Sequence, residues 1–317
     1  MTTVELSIEH AGYTLAGTLH LPASDGPVPA VLMLHGSGAA DRNSGDFLPP
    51  IRQAFLSRGL AVYSFDKPGV GESSGNWRHV ALFDQATQAE RVIGRLQEQP
   101  QIDARRVGLW GHSQGAWVTQ IVASRKPDLA FAIANSGPGI SPPDQDLYGV
   151  EHMLREEGKS EADIARAIEF MQAIHVAARR QDDYATVSHN VLDAARGQPW
   201  ASYLTIDEAE DWGLVLRFFA EAYSPLEAIS RIRCPFLSVF GALDVLLPAH
   251  KSAEIVSQAL HAAGNPDVTI AIFPRGNHRM LVPGTKEFVA GYLDLLADWA
   301  ARRVAAAAPW RAFRARS

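Results

Sequence analysis

The sequence predicts an α/β fold with a mostly parallel central sheet flanked by helices, and three observations point to it. Short apolar runs recur at residues 28–34, 60–65, 107–110, 129–134, 236–240 and 268–273, without the alternation of a half-exposed strand. Such runs suit strands buried on both faces, as in a parallel sheet. Stretches of helical spacing lie between them, and several runs end in glycine-rich polar turns. Strand–helix alternation implies right-handed crossovers, and ligands then bind at the carboxyl ends of the strands.

Taken in order, residues 4–8 and 13–21 alternate and read as an antiparallel lead-in. The run VPAVLML ends in His35-Gly-Ser-Gly, LAVYSF in Asp66-Lys-Pro-Gly, and VGLW in Gly-His-Ser-Gln-Gly. Leu82, Ala86, Ala89, Ile93 and Leu96 share one helical face, and so do Phe288, Tyr292, Leu295 and Trp299 near the end. Residues 141–230 interrupt the pattern, because no strand reads there. Ser160 with Asp163 resembles a capping pair. After it, Ile164, Ala167, Ile168, Met171, Ile174 and Ala178 keep helical spacing, and 211–228 reads as another helix broken near Ser224-Pro225. The expected organisation is a core over 1–140 and 231–304, a helical cap over 141–230 and a basic tail over 305–317. A solvent-facing interaction domain is the alternative to a cap. The tail carries Trp310, Arg311, Phe313, Arg314 and Arg316. It reads as a frayed terminus rather than a membrane or partner contact.

Composition narrows the function classes. Of 317 residues, 47% are hydrophobic, enough for a sizeable core. The net charge of −6 disfavours a general phosphate-backbone binder, so nucleic acid is not an expected partner. Cys234 is the only cysteine, which excludes an intramolecular disulfide and fits a reducing compartment. Residues 1–10 have no basic start or apolar run, so no secretory signal reads there. No apolar stretch approaches the roughly 18 residues that span a bilayer. The expectation is a cytoplasmic protein, not bound to a membrane, acting on a small molecule.

The chemistry concentrates at Gly111-His112-Ser113-Gln114-Gly115, between an apolar run and a helical stretch at 116–124. A serine hydroxyl is weakly nucleophilic without a base. A tight strand-to-helix turn exposes its oxygen, and flanking glycines remove side chains that would collide there. A glycine-rich turn with an idle serine is the alternative. His278, just after the last apolar run, is the expected base, with a surface histidine as the alternative. His10 and His20 lie in the lead-in, His35 and His79 precede the serine, and His112 reads as a packing residue. His152, His175 and His189 fall in the helical segment, and His250 and His261 in or near a helix. Asp244, after the run 236–240, is the expected partner that orients the imidazole. A cap for a helix starting near Pro248 is its alternative role. Asp267 precedes its strand, at the wrong end of the sheet, while Asp207 and Asp211 lie in the helical segment. An oxyanion hole needs two backbone N–H groups. Gln114 is expected to supply one and Ser37 the other, with Gly36 as the alternative.

These motifs resemble the α/β-hydrolase superfamily over nearly everything outside the cap. The matching pieces are His35-Gly-Ser-Gly, the turn Asp66-Lys-Pro-Gly-Val-Gly-Glu-Ser73, the elbow Gly111 to Gly115, the stretch from Pro235 to Asp244, and Gly276-Asn-His278. The run from Gly36 to Asn43 together with Gly-His-Ser-Gln-Gly is similar to bacterial carboxylesterases related to dienelactone hydrolases and to serine-peptidase-like hydrolases. Lys67 stands where many members have arginine, and Ala116 where many of these esterases have glycine. The resemblance implies an acyl-enzyme mechanism on a carboxylic ester, with no cofactor and no metal. Thioesters, lactones and aminopeptidase-like amide hydrolysis are the close alternatives, and a non-hydrolytic binder or acyltransferase is a more distant one. A dehalogenase is disfavoured, since that chemistry in this fold uses an aspartate at the position of Ser113. In the cap, Met153, Phe170, Met171, Trp200, Tyr203, Trp212, Phe218, Phe219 and Tyr223 are candidates for an acyl or aromatic pocket. Glu157, Glu208 and Glu210 are candidates for holding a substrate amine.

Overall fold

The protein is described by a computed structural model over residues 2–201, 206, 208–219 and 223–306. Among the described residues, eight strands form one sheet: β1 (Thr2–His10), β2 (Tyr13–Leu21), β3 (Val28–Leu34), β4 (Ala61–Phe65), β5 (Ile102–His112), β6 (Ala132–Asn135), β7 (Phe236–Gly241) and β8 (Val268–Phe273). Their spatial order is β1-β2-β4-β3-β5-β6-β7-β8. The lead-in pair is antiparallel, β2 pairs antiparallel with β4, and β3 to β8 are mutually parallel. The chain moves from β3 to β4 on one side and then to β5 on the other. The gap between β3 and β5 is therefore the switch point where a crevice opens.

Helices α1 (Leu48–Leu56), α2 (Leu82–Gln97) and α3 (Gln114–Arg125) connect the first parallel strands. Among the described residues, six α-helices lie between β6 and β7, with a π-helical turn at Ser188–Leu192: α4 (Pro142–Glu156), α5 (Glu161–Arg180), α6 (Tyr184–Val187), α7 (Asp193–Ala195), α8 (Ala209–Phe219) and α9 (Pro225–Ile229). Helices α10 (Ala249–Ala262) and α11 (Tyr292–Ala306) complete the core.

The apolar runs are explained by burial on both faces. Strand β3 sends Ala30, Leu32 and Leu34 into the cluster under α2, α3 and α10, and Val31 and Met33 into the cluster under α1 and α11. A third cluster, including Leu154, Ile164, Phe170, Ile174 and Trp212, belongs to the helices between β6 and β7. The Ser160 hydroxyl caps α5, accepting from the N–H of Asp163 at 3.1 Å.

The structure corrects two expectations. Every residue of β8 is only half-buried, because this strand has a single neighbour at the sheet edge. Phe288 does not share a helical face with Tyr292. It bridges to Leu281 in the preceding loop, and Gly291, at φ +80°, separates it from α11. The buried face of α11 is Tyr292, Leu296, Trp299 and Ala300, with Leu295 half-buried. Tyr203, Asp207 and the tail residues Trp310, Arg311, Phe313, Arg314 and Arg316 lie outside the described residues. Among the described residues no helix is long and apolar enough to cross a membrane.

Candidate active site

Ser113 alone makes the turn between β5 and α3, at φ +56° and ψ −118°. Holding a non-glycine residue there costs about 1–3 kcal/mol. The surrounding backbone enforces it: Ser113 N donates to Asn135 O at 2.9 Å, and Ala116 N donates to Ser113 O at 2.9 Å. The two elbow glycines are dictated by contact. A Cβ on Gly111 would strike Gly115 O and Thr119 Oγ1, and one on Gly115 would lie 2.5 Å from the carbonyl oxygen of His35.

Asp244 and His278 meet because the loops after β7 and β8 are hydrogen-bonded together. Ala242 N donates to Phe273 O and Leu243 N to Gly276 O, each at 2.9 Å. Gly241 permits this approach, since a Cβ there would strike the carbonyls of Gly276 and Asn277. The Asp244 carboxylate is wholly buried, and such a charge needs partners at each oxygen. Oδ1 accepts from Leu246 N at 2.8 Å and Leu247 N at 3.2 Å, and Oδ2 lies 2.7 Å from Nδ1 of His278. The proton on Nδ1 is thus held toward the carboxylate, which leaves Nε2 as the acceptor. Asp244 therefore braces the turn before α10 with one oxygen and faces the imidazole with the other. Helix α10 itself starts from Pro248 with no side-chain cap.

Ser113, His278, Gln114 and Ser37 all line one cavity of about 430 Å³. Gly36 sits behind it: a Cβ there would be 3.4 Å from Ser113 Cβ. Much of the wall is apolar, with Trp77, Val118, Met153, Val215, Phe218 and Phe219. Among the cap candidates, Phe170, Met171, Trp200 and Trp212 instead pack within the helical cluster, and Tyr223 sits in the core beneath the sheet. Of the histidines, only His35 and His278 line the cavity among the described residues. His35 is buried, and burial together with the Lys67 charge pushes its pKa down to about 3, so it stays neutral. The His112 ring is also buried, 4.9 Å from that of His278. Its Nδ1 is 3.1 Å from the Asn135 amide, whose Oδ1 accepts from Tyr292 OH at 2.8 Å. Asp267 is at the far end of β8, paired with Arg303 at 2.6 Å.

Charged groups at the cavity include two that residue type and order did not single out as functional. Asp146 on α4 lies at the wall, its Oδ2 2.9 Å from His175 Nε2. The ammonium of Lys67 reaches two carbonyls of the loop after β3. Glu157, Glu208 and Glu210 are exposed and do not line the cavity. Among the described residues no group of three histidine, cysteine or acidic side chains is placed to hold a metal ion.

A strained serine at a strand-to-helix turn, at the carboxyl edge of a parallel sheet, defines the class as an α/β hydrolase. The chain belongs to the serine aminopeptidase S33 family, whose pattern it matches over residues 26–283. Over 129 residues it is 34% identical to esterase FrsA of Escherichia coli O157:H7, which covers 41% of this chain and 30% of that protein. The match therefore spans less than a third of that relative. Among solved structures, a Pyrococcus furiosus esterase aligns with a TM-score of 0.63 at 16% identity, over 96% of this chain and 91% of its own. The α/β hydrolase GrgF from Penicillium sp. sh18 aligns with a TM-score of 0.63 at 22% identity, over 96% of this chain and 100% of its own. Both likenesses concern the fold.

Proposed function

We propose that this protein hydrolyses carboxylic esters of apolar or aromatic acids through an acyl-enzyme on Ser113. The observation that carries this is the contact at 2.7 Å between the buried Asp244 and the partly exposed His278, which lines the same cavity as the strained Ser113. Nε2 of His278 takes the Ser113 proton as Oγ bonds to the carbonyl carbon, and the carbonyl π electrons move onto oxygen. The N–H groups of Gln114 and Ser37 receive that oxyanion. As the tetrahedral species collapses, the bond to the leaving oxygen breaks and that oxygen takes the proton from His278. A water then gives its proton to His278 and attacks the acyl carbon. The acid leaves, and Ser113 recovers its proton. Asp244 keeps the imidazole in the required tautomer and stabilises its charged form.

Residues 141–230 act as a cap in this scheme, supported by their own apolar cluster and by Met153, Val215, Phe218 and Phe219 at the cavity wall. The apolar wall favours an ester of an apolar acid. Asp146, the one carboxylate at that wall among the described residues, favours a second activity, aminopeptidase-like cleavage beside a substrate amine. Its contact with His175 leaves it less available to a ligand cation. Cys234 is buried with its thiol pushed up to about 12, an inert cysteine that suits a cytoplasmic location.

The test is fluorophosphonate labelling followed by a substrate panel. Labelling that is lost in Ser113→Ala, with turnover of aryl esters above thioesters and aminoacyl amides, is the expected result. No labelling of folded wild type would refute the serine mechanism. A preference for aminoacyl amides that disappears in Asp146→Asn would replace the ester assignment with the peptidase one.

A further inference from the structure

We propose that Lys67 is a positioning residue for the oxyanion hole: it grips the loop after β3 by two carbonyls and so aims the Ser37 N–H at the substrate oxygen. The inference rests on the serine mechanism above and adds the device that sets one of its two donors.

Nζ of Lys67 donates to Gly36 O at 2.5 Å and to Gly38 O at 2.9 Å. Gly36 O and the Ser37 N–H belong to one peptide unit, which is planar and trans. The N–H of that unit must point away from its carbonyl. Fixing the carbonyl on the lysine therefore fixes the direction of the Ser37 N–H. Without a grip this peptide can flip more readily, because Gly36 on its carbonyl side has no side chain to restrain the turn. A flip would turn a carbonyl oxygen toward the developing negative charge. A cation on the carbonyl also polarises the peptide and strengthens the N–H as a donor. Of the two candidate donors the grip acts on Ser37, because the Gly36 N–H belongs to the preceding peptide, which Lys67 does not hold.

The lysine is rigidly mounted. Its own N–H donates to Ala40 O at 3.0 Å. The neighbouring Asp66 is held by Arg42, with Nη2 at 2.7 Å and Nε at 3.1 Å, and its carbonyl accepts from Ser73 Oγ at 2.7 Å. The Lys67 side chain is buried at the cavity edge, and its ammonium is spent on backbone oxygens rather than a carboxylate among the described residues. Burial lowers its pKa to about 7, and in either protonation state the amine has enough N–H donors for both carbonyls.

The experiment compares wild type, Lys67→Met and Lys67→Arg on an aryl ester, with circular dichroism to confirm folding. Losing an oxyanion donor outright costs about 10²–10³ in kcat. Misaiming one should cost less, about 10- to 100-fold in kcat for Lys67→Met, with KM little changed. Affinity for a trifluoromethyl ketone, which forms an oxyanion on the serine, should fall in parallel with kcat. Lys67→Arg keeps donors for both carbonyls and should restore most of the rate. It also carries the test if Lys67→Met does not fold. A folded Lys67→Met with wild-type kcat, a loss confined to KM, or a folded Lys67→Arg no better than wholly impaired would overturn the inference. Wild type that is not labelled by a fluorophosphonate would sink the serine mechanism and this inference together. Labelled wild type with an unaffected Lys67→Met sinks the lysine alone.

Discussion

The Ser136 hydroxyl donates to the backbone carbonyl of His278 at 2.7 Å, tying the end of β6 to the loop that carries the imidazole. Ser136 is itself held at φ +50°, with its N–H on Val239 O at 2.8 Å. Such a hydrogen bond contributes about 1 kcal/mol net. Ser136→Ala frees the loop that carries the imidazole, so kcat should fall, by at most roughly fivefold if all of that energy serves to position His278, while fluorophosphonate labelling of Ser113 persists. Steady-state kinetics on an aryl ester decides it, and an unchanged kcat would mean the loop is positioned without this bond.

Asp244 does two jobs with two oxygens, and Asp244→Asn separates them. An asparagine oxygen can still accept from the N–H groups of Leu246 and Leu247, so the turn before α10 should persist. Its NH₂ would then face Nδ1 of His278 and demand the opposite tautomer. The expected loss in kcat is about 10⁴-fold with little change in melting temperature. A variant that melts far earlier yet turns over normally when cold would make Asp244 a structural residue only.

Gly241 is where the two loops touch. Gly241→Ala places a methyl against the carbonyls of Gly276 and Asn277, both backbone, so neither can rotate away. Overpacking of this kind costs about 1–3 kcal/mol. Because the displaced segment carries His278, activity should fall further than stability does. Urea denaturation and kcat measured on the same preparation give the comparison.

The candidate site is legible in the sequence where function depends on sequence neighbourhood. Ser113, Asp244 and His278 each follow an apolar run, and a parallel sheet puts all such ends on one edge. Lys67 and Asp146 are not legible in that way. Lys67 is identifiable only as a departure from arginine, since its importance lies in which carbonyls its ammonium reaches. Asp146 is one acid among many on the helical segment until packing turns it toward the cavity. The half-exposure of β8 is hidden for a related reason: an edge strand and an inner strand can share an apolar pattern, and only the sheet order tells them apart.

Stability should fall in mild acid, before the carboxylates titrate. His35 has its pKa lowered to about 3 and His20 to about 4, each chiefly by burial, and burial and the nearby His278 hold His112 well below its ordinary value. In the unfolded chain these histidines take up a proton near pH 6.5. Below that pH the unfolded state binds protons that the folded state refuses, so acid favours unfolding. Their contribution is fully present above pH 6.5 and is lost as pH falls toward 4 and 3. Each fully buried site contributes at most about 1.4 kcal/mol per pH unit in that window. His20, half-buried and with a smaller shift, contributes less. Urea denaturation at pH 7.5 and pH 5 should show a clear drop in unfolding free energy. His20→Gln, on the lead-in sheet away from the cavity, should flatten part of that slope without changing turnover. A stability that is level between those two pH values would mean the buried imidazoles are protonated in the fold, contrary to their surroundings.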